Sequence, residues 1–256
     1  MNLAYENAKG STKKYSEKRQ DFEDFFESEK HFLEPPFVWP GMTVLDIGCA
    51  SGGLGRALNN KIGKISYTGM DTDSHSIEIA KERYPDSSFK TGWFPEDAPR
   101  EKFDLVIMLA LFPQIPEWKK ALLSMVGCSR KYINFSCIIR LAGPTVIDKD
   151  TAYVYYFGSG QRVHQVVHNI YEMVNFCCIR EMRVKKISFW GYHCTGTTSF
   201  RPLAESEQIR GNILLELFET EQDVERYAGG LPKDEVTDGA FRPELEIFID
   251  GERFEV

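Results

Sequence analysis

The chain has 256 residues, 42% of them hydrophobic, which is sufficient for one large α/β domain or two small domains with a buried core. Its formal net charge of −7 disfavours nucleic acid and anionic membranes as partners, because both carry dense negative charge. No apolar run reaches the roughly 18 residues of a membrane span, and residues 1–20 lack the apolar core of a secretory signal.

The first half of the chain predicts helices and buried strands in alternation. A helix is expected over residues 15–32, where phenylalanines cluster on one side, and the prolines that follow end it. Further helices are predicted at 54–60, 74–84 and 117–125, with Ser74 or Asp73 as the cap of the second. Short apolar runs predict strands at residues 43–47, 65–70, 88–91, 103–109 and 132–139.

The order of these elements predicts a three-layer Rossmann-like α/β fold with a seven-stranded, mostly parallel sheet. The second half adds a long predicted helix (162–183), strands at 185–190 and 212–218, and a hairpin within 244–256 around Asp250 and Gly251. We expect an N-terminal helical segment (1–40), a cofactor-binding domain (41–218) and a small C-terminal β extension (219–256).

The sharpest feature is the segment VLDIGCASGGLGRAL, in which a strand enters a glycine-rich turn and then a helix. Such a turn lets a ligand approach the backbone, but NAD, FAD and other nucleosides all use it. The charges decide between them, because Asp46 before the first glycine would repel a pyrophosphate at the helix N-terminus. Asp71 ends the next strand, where an acid accepts hydrogen bonds from ribose hydroxyls. The pattern therefore favours a nucleoside cofactor that carries positive charge and no phosphate.

Three segments together resemble the class I S-adenosylmethionine (SAM)-dependent methyltransferase family. VLDIGCASGG is similar to the first motif of the family, with Ala50 where glycine is common, and YTGMDTD is similar to the second, with Asp71 as the ribose acid. FDLVIMLALFPQIPEWKKAL is similar to the fourth strand and the turn after it. The resemblance covers residues 40–140 and implies SAM as cofactor and S-adenosylhomocysteine (SAH) as product.

The resemblance also implies a set of cofactor contacts. The turn after the third strand reads the adenine, and its sequence here is Gly92-Trp93-Phe94 where the family often has an acid after the glycine. A backbone group or one of the two aromatic rings would then replace the acid. The implied cofactor-binding residues are Tyr15, Asp46, Gly48, Cys49, Ala50, Gly52, Gly53, Asp71, Thr72, Trp93, Phe94, Leu109 and Ala110. Of these, Leu109 and Ala110 would lie beside the sulfonium, and Tyr15 would close over the methionine end.

The methyl acceptor is less well specified. The turn at residues 110–113 is not of the Asn-Pro-Pro-Tyr type that the family uses to hold a planar nitrogen, which disfavours nucleobase and glutamine substrates. A hydroxyl acceptor needs a base, and the leading candidate is His193, after a strand at the carboxyl edge of the sheet. The weaker candidates are His164 and His168, four apart on one face of the predicted helix, and Asp148 and Asp150.

The second half is rich in tyrosine and also contains Trp190, and such side chains suit a sugar or another small polar molecule. The tyrosines concerned are Tyr153, Tyr155, Tyr156, Tyr171 and Tyr192. O-methylation of a sugar or glycan precursor is therefore the leading hypothesis. A protein, peptide or amine N-methyltransferase and a non-catalytic SAM-fold partner subunit are the alternatives.

The cysteines indicate the compartment. None of the six cysteines forms a Cys-x-x-Cys pair, and most lie in apolar runs. We therefore expect a reduced, cytoplasmic protein without a metal site.

Overall fold

The computed structural model describes residues 19–193, 199–200, 203, 208–230, 236–237, 240–241 and 243–254. The strands are β1 (Thr43–Ile47), β2 (Ser66–Asp71), β3 (Ser88–Thr91), β4 (Phe103–Met108), β5 (Ser129–Arg140), β6 (Tyr153–Tyr156), β7 (Gln161–His164), β8 (His168–Asn169), β9 (Val184–His193), β10 (Ser199–Phe200), β11 (Ile209–Leu217), β12 (Val236–Thr237), β13 (Ala240–Phe241), β14 (Glu244–Ile249) and β15 (Glu252–Phe254). The helices are α1 (Glu27–His31), α2 (Gly53–Ile62), α3 (Ser74–Arg83), α4 (Trp118–Cys128), α5 (Ile170–Cys177) and α6 (Glu221–Gly230).

The central sheet has ten strands in the order β15-β14-β9-β11-β5-β4-β1-β2-β3, with the short β8 paired to β5. The strands β1 to β5 are mutually parallel, and β11 runs antiparallel between β5 and β9. The seven strands from β3 to β9 form the predicted mostly parallel sheet. The hairpin of β14 and β15 extends it beyond β9, since β14 pairs parallel with β9.

Both faces of the sheet are covered, which explains why β1 and β4 are apolar almost throughout. Helices α2 and α3 and the N-terminal residues Phe22, Phe25 and Leu33 pack on one face. Helices α4 and α5 pack on the other. The result is the predicted three-layer Rossmann-like arrangement. No helix in the described part of the chain is long and apolar enough to cross a membrane.

The chain winds outward from β1 in both directions, because β2 lies on one side of β1 and β4 on the other. At such a switch point the connections at the carboxyl edge diverge and leave a crevice between them. The turns after β1, β2, β3 and β4 surround this crevice. The fold therefore places the glycine loop and Asp71 at one site.

The predicted helix over 15–32 is wrong within the described residues, which contain a 3-10 turn at Phe22–Asp24 and the short α1 instead. The carboxylate of Asp24 accepts the backbone N–H groups of Gln20 and Asp21 at 2.9 and 3.0 Å. Side-chain acceptors of this kind compete with helical hydrogen bonds, and the helix begins only at Glu27. Residues before 19, including Tyr15, lie outside the described part.

The predicted long helix over 162–183 is also wrong. Strands β6 and β7 form a hairpin through Gly160, which has a φ of +65°. Only α5 is helical, and it begins after Asn169, whose side chain accepts the N–H of Glu172 at 2.9 Å. His164 and His168 therefore lie on separate strands and do not share a helix face.

Two smaller expectations have opposite outcomes. The cap of α3 is Asp73, whose carboxylate accepts the N–H groups of His75 and Ser76, so that the alternative of Ser74 as cap is wrong. The C-terminal hairpin is confirmed, with its turn at Asp250 and Gly251.

Candidate functional site

The glycine loop turns sharply at the end of β1. Gly48 and Gly52 have φ values of +81° and +82°, which favour glycine. A Cβ at Gly48 would come within 2.9 Å of the Leu111 side chain, and one at Gly53 would collide with the carbonyl of Arg19. The loop is thus packed closely between the turn after β4 and the N-terminal segment, and a side chain at Gly48 or Gly53 would have to displace one of them.

Asp46 lies under this loop and is 4% exposed. Burial raises the pKa of its carboxyl to about 7, although a hydrogen bond from the hydroxyl of Tyr67 acts in the opposite direction. The nearby charge of Asp71 raises the pKa further. A carboxyl in this condition becomes fully ionised when a cation approaches it.

Asp71 ends β2 with its carboxylate held in a fixed orientation. One oxygen accepts the N–H of Ala50 at 2.8 Å and the other accepts the N–H of Asp73 at 3.0 Å. Each oxygen keeps a further lone pair for a ligand. Burial raises the pKa of Asp71 above its usual value. The neighbouring Thr72 has a buried hydroxyl without a hydrogen-bond partner among the described residues. Together the two residues offer an acceptor pair and a donor to the vicinal hydroxyls of a ribose.

The turn after β3 forms the outer wall of the crevice. Trp93 is 46% exposed, and its backbone N–H donates to the carboxylate of Asp97 at 2.8 Å. Asp97 therefore holds the turn in which sequence reasoning expected the adenine contact. The ring of Trp93 remains at the pocket wall together with Phe94 and Glu96.

The charge of the crevice is the decisive property of the site. Its described lining residues include three carboxylates, Asp71, Glu96 and Glu117, and contain no lysine, arginine or histidine, although Glu96 forms an ion pair with Lys120 at 2.9 Å. Asp46 adds a fourth carboxyl behind the loop. Such a pocket repels the pyrophosphate of a dinucleotide and attracts a cation. The buried, unpartnered Thr72 hydroxyl and the glycine cradle fit SAM, which has a ribose and a sulfonium but no phosphate.

Comparisons with known proteins agree with this geometry. The model of a methyltransferase domain family matches residues 45–130. This match supports the predicted resemblance to the class I SAM-dependent methyltransferases for that part of the chain. The chain is 39% identical over 71 residues to the ribosomal protein L11 methyltransferase of Burkholderia thailandensis, a match over 27% of this chain and 23% of that protein. It is 32% identical over 107 residues to the malonyl-[acyl-carrier protein] O-methyltransferase of Anoxybacillus flavithermus, over 39% and 40% of the two chains.

A solved structure shares the fold of this chain. The N-terminal domain of EvdMO1, determined with SAH bound, superposes with a TM-score of 0.50 at 14% identity, over 70% of this chain and 76% of that one. The sequence matches are shorter, because the chain spans no more than 40% of the length of either curated relative. The relatives therefore share the cofactor half, and the acceptor half has to be analysed from its own residues.

The turn after β4, where the sequence resemblance placed the sulfonium, borders the crevice at Leu111. Leu109 is buried, and Ala110 is exposed with a left-handed φ of +58°. The N–H of Ala110 donates to the Ser136 hydroxyl at 3.1 Å, and its carbonyl accepts from the Gln114 amide at 2.9 Å. These two bonds hold a backbone conformation that is rare outside glycine. Sequence reasoning missed Ser136, since nothing near it resembles a motif.

His193 ends β9 at the same edge of the sheet, as predicted. Its Nδ1 lies 2.6 Å from Oδ2 of Asp250, and its backbone N–H donates to Oδ1 at 3.2 Å. Asp250 comes from the turn of the C-terminal hairpin, and the hydrogen bond from His193 lowers the pKa of its carboxyl. The carboxylate fixes the ring so that Nε2 faces away from Asp250. Three strand spacings separate β9 from β4, about 14 Å.

The other predicted acceptor residues are dispersed. Trp190 stacks between His31 and Phe248 at 4.1 and 5.3 Å. Asp148 caps its own turn, and Arg162 pairs with Asp150 and covers the ring of Tyr153 at 3.7 Å. His168 is fully buried, which lowers its pKa to about 3. Tyr155 and Tyr156 lie on β6, and Tyr171 lies on α5. Tyr192 lies on β9 opposite Arg210. The threonine-containing loop 194–198 lies outside the described residues.

Proposed function

We propose that the chain transfers the methyl group of SAM to a hydroxyl of a small polar acceptor, with a sugar or glycan precursor as the leading class. The observation that carries the proposal is a crevice with three carboxylates and no basic lining residue in the described chain, placed at the switch point of the sheet. Bound SAM supplies an electrophilic methyl group at its sulfonium centre.

The residues around the crevice have separate tasks in this proposal. Asp71 and Thr72 bind the ribose hydroxyls, and Trp93 and Phe94 enclose the adenine. Asp46 provides negative charge behind the glycine loop, on the side where the ammonium of the methionine end would lie. The backbone around Ala110 would hold the sulfonium end of bound SAM. In-line attack then depends mainly on alignment of the acceptor oxygen, which a rigid turn provides.

A hydroxyl must lose its proton as the new C–O bond forms. His193 is the candidate base, with Asp250 holding its Nδ1 and leaving Nε2 to accept the proton. The separation from β4 sets a condition on this role, since Nε2 must come within hydrogen-bond distance of the same oxygen that the methyl group reaches. If Nε2 lies farther away, His193 contacts another part of the acceptor. A base would affect kcat, whereas an acceptor contact would affect KM.

The test has two stages. Calorimetric titration with SAM, SAH, NAD and FAD should show binding of the first two only, and tight NAD binding without SAM binding would refute the proposal. Labelled SAM is then incubated with cell extract, and the label is followed into small-molecule and protein fractions. Label in a neutral or charged small molecule supports the proposal. Label confined to protein would instead support the alternative of a protein methyltransferase.

A further inference from the structure

A row of polar side chains runs across the sheet away from the methyl-transfer position. Ser136, which holds Ala110, accepts from the amide of Asn212 at 3.5 Å. In the antiparallel pair of β11 and β5, Asn212 lies opposite Ser136 and Arg210 lies opposite Ile138. Residues opposite each other, and those two apart on one strand, share a face of the sheet. Arg210 is therefore the next side chain in the row.

Arg210 lies near the beginning of β11, which places it at the functional edge of the sheet. Since β11 runs antiparallel, its first residues lie at the carboxyl edge of β5, where the crevice is. Two residues along a strand span about 7 Å. Arg210 thus lies two residues from Asn212, on the strand beside Ser136, and one small acceptor molecule could contact both Arg210 and the turn at Ala110.

The guanidinium of Arg210 is fixed but not neutralised. Its Nη2 donates to Oε1 of Gln165 at 3.0 Å, and Gln165 is itself anchored by its backbone N–H to the carbonyl of Ala152 at 2.9 Å. Its Nε is buried and has no hydrogen-bond partner in the described chain. No carboxylate of the described residues forms an ion pair with it. A half-buried cation that lacks an anion is costly unless a ligand provides one.

We propose that Arg210, oriented by Gln165, binds an anionic group of the methyl acceptor, either a carboxylate or a phosphate. The proposal rests on the proposed function and specifies it, because the acceptor would then be a hydroxylated acid or a phosphorylated sugar. A guanidinium presents parallel donors that match both kinds of anion. The rest of the surface would repel such an anion, since the chain carries a net charge of −7.

The experiment titrates SAH-loaded protein with inorganic phosphate, with acetate and with chloride at equal ionic strength, and follows binding by calorimetry. We expect saturable binding of phosphate or acetate beyond that of chloride, and weakening by at least about tenfold in Arg210→Gln. Stronger binding of phosphate would indicate a phosphorylated acceptor, and stronger binding of acetate a carboxylic acid. Arg130→Gln is the matched control, because Arg130 is exposed at the opposite end of β5 and should leave binding unchanged.

A second variant protects the test against misfolding. Gln165→Glu keeps Arg210 but places a carboxylate beside its guanidinium, and should abolish anion binding while SAH affinity stays at the wild-type value. Wild-type affinity for phosphate and acetate in both variants would overturn the proposal, as would a wild-type response no greater than that to chloride. Failure of the proposed function is distinguishable, because it appears as absence of SAH binding, and the titration of the free protein still reports on Arg210.

Discussion

Asp46 provides the sharpest test of the site, because its ionisation state should control both cofactor binding and stability. Burial raises its pKa to about 7 in the free protein. SAM carries positive charge and should bind the carboxylate form, so that its affinity should rise with pH and level off above 7. Binding at pH 6 should be about tenfold weaker than at pH 8, since roughly one carboxyl in ten is ionised one unit below its pKa.

The replacement Asp46→Asn separates the two consequences. The pKa of about 7 in the folded protein exceeds the ordinary value of 3.8, so the stabilisation from the protonated form is complete below about pH 4 and is lost as pH rises through 7. The difference between the two pKa values corresponds to about 4 kcal/mol of free energy of unfolding. Asparagine cannot ionise, and the variant should gain up to that free energy of unfolding at pH 8 in the absence of ligand. It should also bind SAM weakly, with an affinity that does not change between pH 6 and 8.

Urea denaturation and calorimetry at pH 6 and 8 measure both quantities on the same variant. Tyr67→Phe is the companion, because loss of the Tyr67 hydrogen bond should raise the pKa of Asp46 further and move the midpoint of SAM binding above pH 7. The reasoning would be refuted by a wild-type affinity that is constant across this range, or by an Asp46→Asn protein less stable than wild type at pH 8.

Three further outcomes are expected. Asp71→Asn should weaken SAM binding by about 10- to 100-fold, which calorimetry measures. It should also lower the free energy of unfolding by about 1–2 kcal/mol in urea denaturation, because Asp71 holds two backbone N–H groups. His193→Ala should reduce kcat by about two to four orders of magnitude if His193 is the base, whereas a raised KM with unchanged kcat would make it an acceptor contact. Ser136→Ala should lower kcat without changing the affinity for SAH in equilibrium titration, because Ser136 holds the turn at Ala110; a change in SAH affinity alone would contradict that role.

The cofactor half could be predicted because its signals are local. An apolar run, a glycine turn and an acid at the next strand end lie within 30 residues, and each has a direct physical reason. The helix predicted over 162–183 is wrong over its first part, because residues 161–164 pair with β6 and the helix begins only after the cap residue Asn169. The hairpin that replaces it is stabilised by pairing with β10, more than 40 residues away in the chain. Similarly, the spacing of Phe22 and Phe25 suits a helix, yet the carboxylate of Asp24 takes the backbone donors first.

The contact between His193 and Asp250 could not be inferred from sequence for a different reason. The two residues are 57 positions apart, and they meet only because β14 pairs with β9 in parallel. No feature of residues 244–254 other than the turn at Asp250 points to the crevice. A polar side chain at such a turn is ordinary in any hairpin.

Strand direction explains why the acceptor half differs from the cofactor half. In the parallel part of the sheet, functional residues follow strands, and a search of the positions after each apolar run finds Asp71, the turn after β3 and Ala110. The reversed β11 breaks this rule, because its beginning lies at the functional edge and its end at the opposite one. Arg210, near the start of the strand, is thereby brought to the carboxyl edge of the sheet, while the residues that follow β11 lie at the opposite edge. The search for acceptor contacts therefore belongs at residues 208–212 and not after Leu217.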